Sequence, residues 1–151
     1  MYPSRSAIFT ALFNLLRGVA DWNFTSQRFI PWTQVSASQM PMLIMWELGE
    51  RYDWRAEPLS RVTLLVNAIA YLVAPEDQSV VPVQAIDNLL DDIDAAVAPQ
   101  TPLDRQYGRQ TLGGLVYNCR IEGEVVKAAG DIDGISALVV PFRIMVPAPT
   151  N

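Results

Sequence analysis

Two stretches of the chain repeat apolar residues at the spacing of an α-helix. The first runs to about Arg17 and is followed by Gly18, and the second covers residues 83–98. In the first stretch, Phe9 and Phe13 add a second apolar row beside the main apolar face. A face this wide predicts burial on more than one side, either within one subunit or between subunits.

Five further stretches have the alternation or the β-branched content of strands. They are residues 22–30, 42–48, 60–74, 115–125 and 138–146. The 60–74 run is also long enough for a helix, but its β-branched residues favour a strand. The last two stretches predict a hairpin around a turn-rich segment, residues 127–136. Because Pro141 has no N–H group, we expect a free edge or a bulge at that residue.

Polar or charged segments join these elements and predict loops. They cover residues 31–41, in which Trp32 looks exposed, residues 50–58, and residues 99–111. The resulting order is α-β-β-β-α-β-β in a single domain over residues 1–151. Two helices, each with one good apolar stripe, would cover one face of a mainly antiparallel sheet. This is a two-layer α+β fold.

The composition removes most enzyme chemistry from consideration. The 151 residues fit one domain and include no histidine, one cysteine (Cys119) and one lysine (Lys127). Without histidine there is no Ser-His-Asp triad and no histidine-bound zinc, and one cysteine excludes a multi-cysteine metal site. We therefore expect no catalytic residue, metal or cofactor. No stretch has the roughly 18 uninterrupted apolar residues of a transmembrane helix, so we also expect no membrane partner.

The net charge of −5 is concentrated in one block of the chain. Residues 62–104 carry seven carboxylates and no basic residue, whereas the two ends are nearly balanced. Within the block, Asp87, Asp91 and Asp94 recur at helical spacing on one side of the second helix. A row of this kind is most often a solvated helix face. An acidic chain is a poor candidate for binding the phosphate backbone of a nucleic acid. It can nevertheless lie beside DNA in a place where the DNA must not adhere.

Several short segments occur in the order and spacing of a known protein family. They are Arg5-x-x-Ile8 with Leu15-Leu16 in the first helix, Ser26–Trp32 before the polar loop, Gln39-x-Pro41-x-Leu43 at the next strand, and Ala85–Ala96 in the second helix. The most specific segment begins Gln110-Thr111-Leu112-Gly113-Gly114 and continues with Val116, Cys119, Ile121 and Gly123. Together with the closing Val140-Pro141-Phe142-x-Ile144, they resemble the tail terminator (tail completion) proteins of tailed bacteriophages. The longer 99–111 loop departs from the family pattern.

The resemblance implies a structural protein and not an enzyme. Proteins of this family fold as a sheet flanked by helices and close into a hexameric ring at the top of the phage tail. The ring stops polymerisation of the tail tube protein and offers a surface to the head–tail connector, or neck, protein. DNA passes through the lumen as cargo that must not adhere. The protein is accordingly expected in the virion tail, after assembly in the cytoplasm of the bacterial host.

A ring makes two demands on each subunit. Its subunits need a contact surface with their neighbours, for which Phe9, Phe13 and Trp32 are the candidates. Its lumen needs a wall that repels DNA, for which the aspartate row of the second helix is the candidate. The loops at residues 31–41 and 127–136 are long enough to reach a neighbouring ring.

Three other functions stay open at this point. The nearest is a head–tail connector or neck protein, which would also form a ring of small subunits. A tail-associated hydrolase would need a carboxylate pair, and Glu47 with Glu50 or Glu122 with Glu124 are the pairs to consider. A monomeric binding module is the third. The missing histidine weighs against the hydrolase, and the wide apolar surface of the first helix weighs against the monomer.

Overall fold

The computed structural model of the chain describes residues 3–53, 61–74, 81, 83–129 and 134–146, and its elements there form an α+β fold, as the sequence predicts. In chain order they are α1 (Arg5–Arg17), β1 (Phe24–Ser26), β2 (Met42–Asp53), β3 (Arg61–Val73), α2 (Gln84–Val97), α3 (Pro102–Tyr107), β4 (Asn118–Ile121), β5 (Val126–Ala128) and β6 (Ile135–Val146). The predicted order of elements lacked α3 and β5.

All six strands belong to one sheet with the order β1-β2-β3-β6-β4, and β5 pairs with β6 on the same edge as β4. Every pairing is antiparallel except the parallel pairing of β1 with β2. The central strand, β3, is paired along its length with β2 on one side and β6 on the other. The strand predicted at residues 60–74 is therefore confirmed, and the helix alternative is wrong.

Helices α1 and α2 pack on one face of the sheet, as the apolar stripes predict. Helix α1 begins where the Ser4 hydroxyl accepts a hydrogen bond from the Ala7 N–H at 3.1 Å, and it ends before Gly18. The core between the two layers is formed by buried residues of both helices and four strands. They include Leu12, Leu16, Ile86 and Ile93 from the helices, and Leu43, Val66, Cys119 and Phe142 from the strands.

The segment before β2 covers part of the opposite face of the sheet. Met40, with the half-buried Ile30 and Val35, packs there on Ile44 and Tyr71. The Tyr71 hydroxyl donates a hydrogen bond to the carbonyl oxygen of Ile30 at 2.9 Å, which fixes the segment on the sheet. The predicted loop at residues 31–41 is thus an ordered cover that contains two short 3₁₀ turns.

The first predicted strand is much shorter than expected. Of residues 22–30, only Phe24–Ser26 pair with β2. The strand ends because the Ser26 hydroxyl accepts a hydrogen bond from the N–H of Arg28 at 2.9 Å and donates one to the carbonyl oxygen of the same residue. This local turn diverts the backbone from the ladder.

Strand β2 is longer than expected, because Gly49 lies within it rather than ending it. The pairing with β3 shifts by one residue between Glu47 and Gly49, so Leu48 forms a bulge and the ladder continues to Asp53. The charged connection predicted at residues 50–58 is wrong for its first part, and residues 54–58 lie outside the described residues.

The polar loop predicted at residues 99–111 contains helix α3. The Thr101 hydroxyl caps this helix by accepting a hydrogen bond from the Asp104 N–H at 3.0 Å, and Pro102 occupies its first turn. Gly108 ends it with a φ of 62°, which glycine adopts without strain. The threonine and proline were a helix-start signal that the loop prediction overlooked.

The C-terminal hairpin is confirmed in its pairing but not in its extent. The stretch predicted at residues 115–125 forms only β4, and a second short strand, β5, begins the segment predicted as a turn. Pro141 lies where β6 passes from β4 to β5, and its carbonyl oxygen accepts a hydrogen bond from Glu122. The N–H group that Pro141 lacks would lie at the break between the β4–β6 and β5–β6 pairings, in agreement with the break expected from the sequence at this proline. Residues 130–133 of the turn lie outside the described residues.

In the described part of the chain, no helix combines the length and the apolar character needed to span a membrane.

Candidate functional site

The three aspartates predicted to share one side of α2 have different surroundings. Asp87 is half-buried, and one of its carboxylate oxygens lies 2.6 Å from the Lys127 ammonium of β5. Asp91 and Asp94 are exposed and have no ion-pair partner among the residues that the structure describes. We call these three residues the acidic flank of α2. Asp92 is also exposed but lies on the other side of the helix, because its position is rotated by about 100° from Asp91.

The second apolar row of α1 lies inside the chain's own core. Phe9 is 4% exposed and Phe13 is 8% exposed, and both pack in the cluster between the helices and the sheet. The breadth of the helix is therefore accounted for within one subunit. The wide apolar surface of α1 was the reason to predict that Phe9 and Phe13 contact a neighbouring subunit, and it no longer supports that prediction.

Trp32 lies at the surface, as the sequence predicts. It begins a 3₁₀ turn in the segment that covers part of the sheet, and 44% of its area is exposed. It stays a candidate contact with another protein.

A surface that the sequence reasoning missed lies on the sheet face opposite the helices. Arg120 of β4, Arg143 of β6 and Leu65 of β3 are direct neighbours in the register, so their side chains stand in one row on that face. Trp46 of β2 follows in the next row and is 38% exposed. We call Arg120, Arg143, Leu65 and Trp46 the arginine face.

The arginine face carries more positive charge than its surroundings neutralise. Arg120 forms an exposed ion pair with Glu122 at 2.9 Å. Arg143 contacts no carboxylate in the described residues, and its guanidinium reaches only the carbonyl oxygen of Phe142 at 3.3 Å. At the margin, the ring of Phe29 stacks on Trp46 with the centroids 4.5 Å apart. Like charges directly opposite each other in a ladder are destabilising. The direct pairing of Arg120 with Arg143 therefore needs an explanation beyond the stability of the single subunit.

The motif that carries the family resemblance has a structural role here. The buried Gln110 side chain donates to the carbonyl oxygen of Ala98 and accepts from the N–H of Leu112, both at 3.0 Å. Gly113 and Gly114 have φ values of 75° and 88° in the turn that leads to β4. Gln110 therefore ties the end of α2 to this turn, and the glycines permit its backbone.

A second buried polar group holds the segment around α3. The Asp104 carboxylate accepts a hydrogen bond from the Thr111 hydroxyl at 3.0 Å and lies 3.7 Å from the Arg109 guanidinium. The same guanidinium lies over the rings of Tyr107 and Tyr117, at 5.1 and 5.4 Å from their centroids. Cation–π contacts of this kind contribute more when the arginine is partly desolvated, and the Arg109 side chain is only a quarter exposed.

One member of the Glu47 and Glu50 pair predicted for a hydrolase, Glu50, holds α1 on β2. The Arg5 guanidinium binds Glu50, with Nη2 at 2.8 Å from Oε2, and the Tyr52 hydroxyl donates to the same oxygen at 3.1 Å. The hydrogen bond from Arg5 lowers the pKa of Glu50. Partial burial, and secondly repulsion from Glu50, raises the pKa of Glu47. In the other predicted pair, Glu122 is bound to Arg120.

Two of the open clefts on the described part of the surface are large enough for a small molecule, and neither is lined by these carboxylate pairs. One of about 290 Å³ separates the end of α2 from β4 and is lined by Asp94, Gln110 and Cys119, among others. Burial raises the pKa of Cys119 to about 12, so its sulfur is a neutral thiol and not a nucleophile at neutral pH. The other cleft, of about 300 Å³, is lined by Arg17 and residues 20–25. Within the described ranges, no group of three or more acidic or cysteine side chains is placed to hold a metal ion.

Comparison with models of protein families and with curated proteins finds no match to this chain.

Proposed function

We propose that the chain is a structural subunit of a phage tail that assembles with copies of itself into a ring. The ring caps the tail tube and joins it to the head–tail connector, and a hexamer is the form that the family resemblance implies. The subunit works by contact and not by catalysis. Its partners are further copies of the chain, the tube protein and the connector protein.

The observation that carries the proposal is the half-exposed aromatic surface of the sheet. Trp46, with its stacked partner Phe29, which is 42% exposed, shares a sheet face with two arginines. Aromatic residues and arginine are the residue types enriched at the centres of protein interfaces. A sheet face with this composition suits a subunit that is completed by other proteins.

The acidic flank of α2 has two possible places in such a ring. The resemblance suggests the lumen, where exposed Asp91 and Asp94 would keep DNA from adhering, and where Asp87 would add less because Lys127 pairs with it. The other place is the contact between neighbouring subunits. The like charges of the two arginines on the opposite sheet face favour that second place.

The experiment adds the purified chain to its tube protein while tubes are growing, and electron microscopy measures tube length and joining to heads. We expect shorter tubes, with the chain at one end, that become competent to join heads. Trp46→Ala, which truncates the proposed contact, should cap less well than the control Leu103→Ala, which truncates an exposed side chain on α3.

Three results would contradict the proposal. Unchanged tube length and unchanged head joining would remove it. Binding to heads without any effect on tube growth would favour the connector alternative. Cell-wall hydrolysis that is lost when Glu47 and Glu50 are replaced by glutamine would favour the hydrolase.

A further inference from the structure

The arginine face and the acidic flank lie on opposite sides of the same sheet. The flank belongs to α2, which packs on the helix-covered face, and the arginines stand on the other face. A contact between these two surfaces of different copies joins unlike patches. It is therefore heterologous, and a contact of this kind builds a ring when its rotation closes and a filament when it does not.

Each surface carries like charges that the described residues of one copy do not fully neutralise. Arg120 and Arg143 are direct cross-strand neighbours, and among the residues that the structure describes only Arg120 has a carboxylate partner. Asp91 and Asp94 lie one turn apart in α2, and Asp94 is in the last turn, where the helix dipole also disfavours negative charge. Bringing the two surfaces together relieves repulsion on both sides.

The spacing of the charges also fits. Side chains directly opposite in an antiparallel pair have their Cβ atoms roughly 5 Å apart, as Arg120 and Arg143 do by register. Residues three apart on a helix have Cβ atoms about 5–6 Å apart, which describes Asp91 and Asp94. Two parallel arginine–carboxylate pairs can therefore form at once, with Trp46 and Leu65 supplying apolar area beside them.

We propose that the acidic flank of one copy docks on the arginine face of the next copy, and that this contact joins the subunits of the ring. The contact itself is inferred from the charges of the two surfaces. Only the statement that it closes a ring rests on the proposed function. A second copy fits this face because it presents two exposed carboxylates, Asp91 and Asp94, at the spacing of the two arginines. A nucleic acid would be repelled by the remaining net negative charge without offering a matched pair.

The test reverses the charges of each surface separately and then mixes the variants. One variant carries Arg120→Glu and Arg143→Glu, and the other carries Asp91→Arg and Asp94→Arg. Sedimentation at low and high salt measures self-association, and circular dichroism verifies folding. Should a reversal fail to fold, the neutral variant Arg120→Gln with Arg143→Gln takes its place. Arg105→Glu on α3 and Asp92→Arg on the other side of α2 are matched controls, since both residues are exposed.

We expect the wild-type chain to self-associate and to dissociate as salt is added. Each reversal should weaken self-association about tenfold or more, and the controls should leave it unchanged. An equimolar mixture of the two reversal variants should restore assembly, because every contact is then complementary in an alternating oligomer. An explanation in which only one of the two surfaces takes part in assembly does not predict that the mixture assembles.

Several outcomes would overturn the inference. These are a wild-type chain that stays monomeric at low salt, reversals without effect, and a mixture that does not assemble. Loss of DNA binding by the arginine-face variant with unchanged assembly would assign that face to nucleic acid. Adhesion of DNA to an intact ring of the aspartate variant would place the flank in the lumen.

The tube-capping experiment separates this inference from the proposed function. Variants that fail to self-associate but still cap tubes would remove the contact and keep the function. Restored assembly in the mixture without any capping of tubes would keep the contact and remove the function.

Discussion

The Lys127 ammonium lies 2.6 Å from the Asp87 carboxylate, which joins the edge strand β5 to the first turn of α2. These residues are separated by 40 positions in the sequence. The pair neutralises the member of the acidic flank nearest the start of the helix. It leaves the exposed charge of the flank on Asp91 and Asp94.

Replacing Lys127 by methionine should lower the free energy of unfolding only slightly. Both partners are partly exposed, and ion pairs of this kind contribute about 0–1 kcal/mol. A double-mutant cycle with Asp87→Asn, measured by urea unfolding at low and high salt, gives the coupling between the two charges. The coupling should shrink as salt is added. A coupling above about 2 kcal/mol would show that the pair is far better shielded than its exposure indicates.

Replacing Asp104 should be much more costly. Its buried carboxylate accepts the Thr111 hydroxyl and faces Arg109, whose side chain is itself only a quarter exposed. Asp104→Ala leaves a guanidinium and a hydroxyl without their partner, so we expect a loss of about 2–4 kcal/mol in urea unfolding. The exposed Asp92→Ala is the matched control and should change stability by less than about 0.5 kcal/mol. Equal losses in the two variants would contradict the structural role of Asp104.

Folding shifts the pKa values of two neighbouring glutamates in opposite directions, which gives opposite pH dependences. The raised pKa of Glu47 means that the folded state holds its proton more readily than the unfolded state does. Protonated Glu47 therefore contributes to the free energy of unfolding at pH values below the ordinary carboxyl pKa. This contribution is lost as the pH rises through the raised pKa of Glu47. The lowered pKa of Glu50 contributes stability above that range, and this is lost as the pH falls through the lowered pKa.

At neutral pH, Glu47→Gln should therefore stabilise the fold and Glu50→Gln should destabilise it. Both differences from the wild type should fade in acid, where the carboxyl groups are protonated. Thermal unfolding across the acidic range measures this, with the exposed Glu124→Gln as control. The same sign for both variants at neutral pH would contradict the assignment.

The sequence predicts elements better than contacts, and three cases show the physical reason. The β-branched run of β3 predicts a strand because its pattern is local. The width of α1 predicts two buried sides, but periodicity cannot say whether Phe13 meets its own sheet or a neighbouring subunit. Arg120 and Arg143 each lie on the side of their strand opposite the predicted core, and only the register of β4 on β6 makes them neighbours.

The candidate site was predictable to the same limited degree. Helical spacing places Asp87, Asp91 and Asp94 on one side of α2, and this row is found. The partner of Asp87 is not predictable from spacing, because Lys127 comes from a short edge strand in a segment whose glycines and aspartates predict a turn. Gln110 stood out as part of a motif, and its function in the fold depends on the carbonyl of Ala98 that it binds.

Truncating Phe9 and truncating Trp46 should have different effects, because Phe9 belongs to the core of the subunit and Trp46 to its proposed contact surface. Phe9 is almost fully buried, so Phe9→Ala should cost about 3–5 kcal/mol in urea unfolding. Trp46 loses a stacked and partly exposed contact with Phe29, so Trp46→Ala should cost only about 1 kcal/mol and should weaken self-association in sedimentation. The exposed Leu103→Ala controls for truncation as such. A Trp46→Ala variant that unfolds as readily as Phe9→Ala would place Trp46 in the core, and unchanged self-association would remove it from the contact surface.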